Sequence, residues 1–470
     1  MLFKILKMSF LDVLKSLLDS YNEYVGGYLI LVLLVPVGVY VSVRLGFLQI
    51  RGFRHALRIV AGKYSDHTAH GDVSHFKALT TALSSTIGTG NIVGVALAIY
   101  WGGPGAVFWL WVTGFFGMML KFSECTLALK YRKTNADGSV SGGPMYYIEI
   151  GLKKYLGKFA KILAMVFAGA TILGSIGTGN LAQSNGISDA MLSNYNIPTW
   201  VSGLVITILV LIIIVGGLKR IAEVTEKLIP FMAVFYVLAT AVVLFAYASE
   251  IPAAFSLIFN SAFHGTAVTG GFVGSTFFMT MIMGVRRGLF SNEAGQGSAA
   301  IAHAAAKTEH PVREGLVATI EPLVDTIIIC TMTALVVIVT GEWSSGVQGV
   351  GMTLMAFESG FNAIGIVGVA KHVVAIGLLM FAFSTIIAWS YYGSRGVQYL
   401  FGDKMIKPYY YIYGLFVFLG SIWGIDLVWS FVDAVITFMT IPNLIAIILL
   451  FPVLQKEVRK YFKLKKEMKW

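Results

Sequence analysis

About eleven stretches of this chain stay apolar for the roughly 20 residues that a helix needs to cross the hydrocarbon core of a bilayer. They fall near 22–43, 76–100, 104–129, 159–192, 198–217, 225–248, 267–304, 315–340, 368–394, 408–424 and 428–454. The composition demands the same solvent. Of 470 residues, 57% are hydrophobic and 13% charged, where a soluble domain carries about a quarter charged. The 51 glycines fit membrane helices, which use small residues to approach one another closely. The fold class expected is an all-α polytopic membrane protein with about 11 transmembrane helices.

The formal net charge of +11 does not point to nucleic acid, because the basic residues cluster in short segments between apolar spans. There they read as orientation signals. Arg44, Arg51, Arg54, Arg58, Lys63 and Lys77 follow the first span, and alternate loops carry Lys130, Arg132 and Lys133, then Lys219 and Arg220, then Arg395, Lys404 and Lys407. The tail holds Lys456, Arg459, Lys460, Lys463, Lys465, Lys466 and Lys469. Placing these segments inside predicts a multi-pass protein of the cytoplasmic membrane, with the N-terminus outside and the C-terminus cytoplasmic. Topology accounts for the basic tail, and anionic membrane lipids are its other available partner.

Cys125 and Cys330 both lie inside apolar stretches, which excludes a disulfide framework and suits small buried hydrophobes. The N-terminal apolar run is broken by Asp12, Lys15 and Asp19, so it is not read as a cleavable signal. Phe10, Leu11, Leu14, Leu17 and Leu18 instead share one helical face, as expected of an interfacial helix over 1–21.

Three glycine motifs stand out: IGTGNIVG at Ile87–Gly94, IGTGNLAQ at Ile176–Gln183 and AGQGSAA at Ala294–Ala300. A dinucleotide-binding turn is rejected, because that motif needs a preceding strand and a βαβ unit. TIGTGNIVGVALA aligns without a gap on EAGQGSAAIAHAA, and each copy lies in the first helix of a set of five. A duplicated unit follows, over 76–248 and 267–454. Five crossings are odd in number, so the second copy enters the membrane the other way, giving inverted five-helix repeats. Residues 22–75 then hold one extra N-terminal transmembrane helix and a basic cytoplasmic loop, and 455–470 form a basic cytoplasmic tail.

Glycine costs about 1 kcal/mol relative to alanine inside a helix. A break at mid-membrane also frees backbone groups that lipid cannot satisfy. Gly88, Gly90, Gly295 and Gly297, crowded by Ser84, Ser85, Thr86, Asn91, Ser291, Asn292, Glu293 and Gln296, therefore mark broken first and sixth core helices. Half-helix N-termini favour a carboxylate and freed carbonyls suit a cation, so an amino acid with Na⁺ uses both ends. Gly169, Gly174 and Gly216 read as close-packing positions.

The run GGPGAVFWLWVTGFFG at Gly102–Gly117 resembles the signature of the alanine or glycine:cation symporter family, with Leu110 where that family usually has Met. SSTIGTGNIVG, SVSGGPMYYIE, GNLAQSN and RRGLFSNEAGQGSAAIAHAAA are similar to family sequence too. The resemblance implies a five-plus-five inverted-repeat architecture shared with the bacterial leucine transporter, and Na⁺-coupled uptake of alanine or glycine. By motif position it implies substrate contacts at Thr86, Gly88, Gly90 and Asn91, a closing Phe290, a size-limiting Trp389, and weaker contributions from Asn180 and Gln183. For sodium it implies carbonyls of Ser84 and Ile87 and side-chain oxygens of Ser384 and Thr385, the hard ligands an alkali cation takes. No organic cofactor is implied.

Charges at membrane depth default to function. Lys121 and Glu124, spaced i, i+3, read as an intrahelical pair. Arg286 and Arg287 precede the second break, placed to gate with a carboxylate such as Glu293. A proton-coupled carrier, the nearest alternative, would use Glu293 or Asp325. A channel would need a continuous polar pore. An enzyme is not expected, for neither H-E-x-x-H nor G-x-S-x-G occurs. His55, His67, His70 and His75 read as solvated loop surface.

Overall fold

The computed structural model describes residues 10–64, 68–135, 138–267, 270 and 272–467, and these are overwhelmingly helical. An amphipathic α1 (Phe10–Tyr21) leads through a wide turn into α2 (Gly27–Arg44), followed by the basic α3 (Phe53–Val60). Next come α4 (His75–Thr86) and α5 (Gly90–Gly102), one span bent by 52° at its break, then α6 (Ala106–Lys130). A two-stranded hairpin, β1 (Lys133–Thr134) with β2 (Val140–Ser141), precedes the long α7 (Phe159–Tyr195). Helices α8 (Thr199–Ile214), α9 (Gly217–Ala246) and α10 (Ile251–His264) follow.

The second half opens with α11 (Phe277–Asn292) and the short α12 (Ala299–His303), separated by a six-residue break. Then come α13 (Pro311–Val339), α14 (Val350–Ala363), α15 (Ala370–Phe401), α16 (Ile406–Ile422), α17 (Ile425–Leu449) and the tail helix α18 (Phe451–Glu467). Among the described residues, six helices are long and apolar enough to cross a membrane, and seven if the bent pair counts as one span.

The long apolar runs 159–192 and 267–304 each carry a glycine motif, and they resolve differently. In α7 the glycines make only a widened turn at Gly177–Leu181, and the helix continues. The run 267–304 breaks outright, with Glu293, Gly295 and Gly297 at φ of 55°, 90° and 79°, conformations that glycine adopts at little cost. Two amphipathic connectors, α10 and α14, were not among the predicted spans. Hydroxyls start the helices that precede both breaks: Ser74 accepts from Lys77 N at the head of α4, and Thr276 accepts from Met279 N at the head of α11, each satisfying an otherwise orphaned amide.

The outer faces carry the membrane signature. On α9, Phe231, Val234, Leu238 and Phe245 are all well exposed, an apolar stripe at helical spacing of the kind a bilayer covers. By contrast α15 is the most enclosed of the six spans, 78% buried over its apolar window. It packs against α4, α7, α8 and α9. The molecule is built around it.

The loop histidines are not all surface. His70 is exposed and His67 lies outside the described residues, but His55 and His75 are buried. His55 Nε2 meets Tyr461 Oη at 2.7 Å, tying α3 to the tail helix. Burial, then the nearby charges of Lys465, Arg313 and Arg58, hold its imidazole down to about 4.

Candidate transport site at two helix breaks

At the first break the chain turns extended at Ile87 (φ −76°, ψ 94°) and helical bonding stops. Side chains take up the freed amides: Asn91 Oδ1 accepts from Gly88 N and Gln183 Oε1 accepts from Thr89 N, both at 2.9 Å. The freed carbonyls face α15. Thr385 Oγ1 lies 3.0 Å from Ser84 O and 3.2 Å from Ile87 O, and Ser384 Oγ lies 3.4 Å from Ser84 O. Ser84 Oγ in turn donates to Ser384 O at 2.7 Å. Four oxygens from two helices, buried and none formally charged, thus converge on one spot, the donor set suited to an alkali cation.

Gly88 lies close against two side chains. A Cβ there would stand 2.6 Å from Thr385 Oγ1 and 2.8 Å from Gln183 Oε1. A Cβ on Gly90 would meet the Phe290 ring at 3.0 Å, so Phe290 lies directly on the broken backbone. Above it Trp429 packs at 4.9 Å, and Arg287 sits over the Trp429 ring while donating to Asp433 at 2.7 Å. Trp389 approaches from the other side, pressed against Gly179 and Gly174 of α7.

Asn91 also reaches away from Gly88. Its Nδ2 donates to Asp325 Oδ1 at 2.7 Å, and Ser291 and Thr326 donate to Asp325 Oδ2 at the same distance. Asp325 thereby joins the first break, the sixth core helix and α13. It is a second oxygen-rich point beside the same glycines. The signal for it was an acid inside an apolar span, but its neighbours lie 34 and 234 residues away and no local spacing selects them.

The second break is held differently. Glu293 accepts from Trp389 Nε1 at 2.7 Å, from Ser298 Oγ at 2.6 Å and from Ser85 Oγ at 3.4 Å. Asn292 Oδ1 accepts from Ala294 N, Gln296 Nε2 donates to Leu289 O, and Asn443 Nδ2 donates to Gly295 O. Arg286 and Arg287 do not reach Glu293. Both turn to Asp433, at 3.7 and 2.7 Å, and Arg286 also donates to Asn22 O. Lys121 does not pair within its helix either: its Nζ lies 3.1 Å from Glu321, while Glu124 accepts from Asn443.

The structure therefore gathers Ser84, Ile87, Gly88, Gly90, Asn91, Gln183, Phe290, Ser384 and Thr385 around one break, with Trp389 bridging to the other. Thr86 is buried there, but its hydroxyl turns back on Leu83 O at 3.2 Å. Asn180 faces elsewhere, donating to Tyr413 O of α16 at 2.8 Å.

The family model described as the sodium:alanine symporter family matches residues 11–470. The chain belongs to that family. It is 42% identical to the sodium/alanine symporter AgcS of Methanococcus maripaludis, over 96% of this chain and 98% of that protein. It is 34% identical to the probable sodium/glutamine symporter GlnT of Bacillus subtilis, over 97% and 92%. Among solved structures it resembles MhsT in complex with L-phenylalanine, with TM-score 0.53, 14% identity, and coverage of 81% of this chain and 99% of the other. A Na⁺-coupled sialic acid symporter matches with TM-score 0.52 and 16% identity, over 86% and 82%. These likenesses show the fold. The chain is an integral membrane protein of a transporter family.

Proposed function

We propose that this family member imports small neutral amino acids, alanine or glycine, together with Na⁺, by alternating access around the first helix break. The observation that carries the reading is the convergence of the Ser84 and Ile87 carbonyls with the Ser384 and Thr385 side chains. That is where a cation would join the broken helix to α15. In the loaded carrier the Thr385 hydroxyl turns its proton to another acceptor, such as Phe381 O 3.1 Å away, and presents its lone pair to the ion. The substrate lies against Thr86, Gly88, Gly90 and Asn91, its carboxylate toward the amides that Asn91 and Gln183 now occupy. Phe290 closes over it and Trp389 limits its size. Asn180 supports α16 rather than the ligand.

The same reading takes α2 as an extra helix and the bent α4–α5 pair through α9, and α11 through α17, as two inverted five-helix units, eleven spans in all. The N-terminus is outside and the C-terminus in the cytoplasm of a plasma membrane. Arg287–Asp433, stacked through Trp429 onto Phe290, closes the side of the site that leads to α17.

The test is uptake of labelled alanine, glycine and glutamine into liposomes holding the purified protein, under an inward Na⁺ gradient and an equal K⁺ gradient. Concentrative uptake of alanine or glycine only with Na⁺ is expected. Equal uptake under both cations removes sodium coupling. Preference for glutamine moves this chain toward the relative named for that substrate.

A further inference from the structure

Five ionisable side chains form an unbroken buried ladder apart from the transport site. His75 Nδ1, at the head of α4, bonds Glu314 Oε2. The other oxygen of Glu314 stands 2.6 Å from His303 Nδ1, and His303 Nε2 stands 2.6 Å from Glu321 Oε1. Glu321 Oε2 then takes Lys121 Nζ at 3.1 Å. Glu314, His303, Glu321 and Lys121 are fully buried, and His75 is 3% exposed.

Counting protons shows what the ladder holds. A neutral imidazole has one N–H and one lone pair. Yet both nitrogens of His303 stand at hydrogen-bond distance from carboxylate oxygens, which accept only. One proton beyond the neutral histidine must therefore lie between Glu314 and Glu321. With that proton on His303 and with His75 neutral, two cations balance two carboxylates, the condition under which buried charge is tolerable.

The ladder also has an open end. His75 Nε2 is buried and has no hydrogen-bond partner among the described residues. Ser74 and Phe76 on either side of His75 are exposed. In the empty ladder His303 is neutral, with the lone pair on Nδ1. A proton arriving at His75 Nε2 then lets Nδ1 pass its own to Glu314, whose carboxyl turns and hands a proton to His303 Nδ1, where it rests as the imidazolium between Glu314 and Glu321. Each transfer makes one bond to hydrogen and breaks one, and the original tautomers return when the proton leaves by the same route. Such a ladder is a store loaded from one face.

The other groups around it are Glu124, Glu293 and Cys125 beside Lys121, and Arg132, which faces Glu314 along with Glu309 and Asp72. Cys125 Sγ lies within 4.8 Å of the ligand atoms of His303 and Glu321. Both ring nitrogens are committed to carboxylates, so this trio offers a metal no imidazole lone pair.

We propose that the ladder is a proton-binding site, loaded through His75, whose occupancy sets the rate of the transport cycle. It joins α4 and α12, one half of each broken helix, to α13 and α6. Removing the stored proton leaves a histidine lone pair facing a carboxylate, and the tie between α12 and α13 fails. The proposal rests on the carrier reading above, and two measurements separate their failures.

In liposomes with internal and external pH set independently and the membrane potential clamped, labelled alanine uptake should fall about tenfold as one face alone is made alkaline, a coupling of ordinary size. His75→Gln and His303→Gln should flatten that profile. An unchanged profile in both variants overturns the proposal, as does equal sensitivity to both faces. Absence of any alanine uptake by the unaltered protein counts against the carrier reading. The second arm then decides the ladder: ¹⁵N-histidine NMR of the purified protein, with His75→Gln and His303→Gln to assign signals. Protonation changes with pH in the His75 and His303 rings, the His303 change lost in His75→Gln, support the store. Rings fixed in one state from pH 5 to 9 overturn it.

Discussion

The two helix breaks look alike in sequence and are held together by opposite means. At the first, the amides of Gly88 and Thr89 and the carbonyls of Ser84 and Ile87 are met by neutral side chains, two of them from other helices: Gln183 of α7 and Thr385 of α15. At the second, Asn292 and Gln296 close most of the turn from within, Asn443 of α17 adds one bond to Gly295 O, glycines at positive φ set its path, and a carboxylate, Glu293, fastens it to Trp389. Partners borrowed from a distant helix can be surrendered to a ligand without unmaking the turn. Partners built into the turn cannot. The first break is thus the ligand cradle of the proposed site and the second its fixed corner.

The two breaks differ most in what their glycines tolerate. Gly297→Ala should be the most damaging change, because φ is +79° and the new Cβ would lie 2.4 Å from Pro144 Cγ. Left-handed strain costs roughly 1–2 kcal/mol, and overpacking adds about 1–3 kcal/mol. A clear fall in thermal stability in detergent is expected, with transport lost alongside it. Gly88→Ala meets only the ends of Thr385 and Gln183, which can swing aside. It should melt close to the unaltered protein while losing Na⁺-driven uptake. If the two variants lose equal stability, the distinction between cradle and corner falls.

Trp389→Phe comes next. It removes a donor from buried Glu293, and hydrogen bonds to charged groups contribute about 1.5–3 kcal/mol. Lower stability and a shift toward larger substrates in competition uptake should appear together. Thr385→Val keeps the shape and deletes one oxygen. The Na⁺ concentration for half-maximal uptake should rise about tenfold, the equivalent of ~1.4 kcal/mol, with alanine affinity at saturating Na⁺ little changed. An unaltered Na⁺ dependence would place the cation elsewhere, with the Asp325 cluster the next position to mutate. Asn180→Ala should have the smallest effect. It forfeits one hydrogen bond to α16, about 1 kcal/mol, and leaves the Na⁺ and alanine dependences where they were.

Much of the site was legible along the chain because a glycine in an apolar helix is a local anomaly. Gly88, Gly90, Gly295 and Gly297 marked both breaks, whereas Gly177 and Gly179 carried the same letters and gave only a widened turn. Nothing local separates these cases. What decides is that Trp389 packs against Gly179, where a Cβ would stand 2.1 Å from Trp389 Cβ, so the glycine there makes room for a neighbour. Thr86 and Asn180 show the same limit. Each has the right type at a plausible motif position, but the hydroxyl of Thr86 turns back on its own helix and the amide of Asn180 serves the backbone of another.

That this protein lives in a bilayer, where its helices break and to which family it belongs could be read along the chain, because hydropathy, glycine and motif spacing are properties of short segments. The partners of its buried charges could not, since they come from helices far apart in the chain. Lys121 passes over Glu124, three residues away, for Glu321, and Arg287 passes over Glu293 for Asp433. Inside a membrane protein a charge is stabilised by a counter-charge or by hydrogen-bond donors brought within reach, and which of them arrive is settled by how the helices pack.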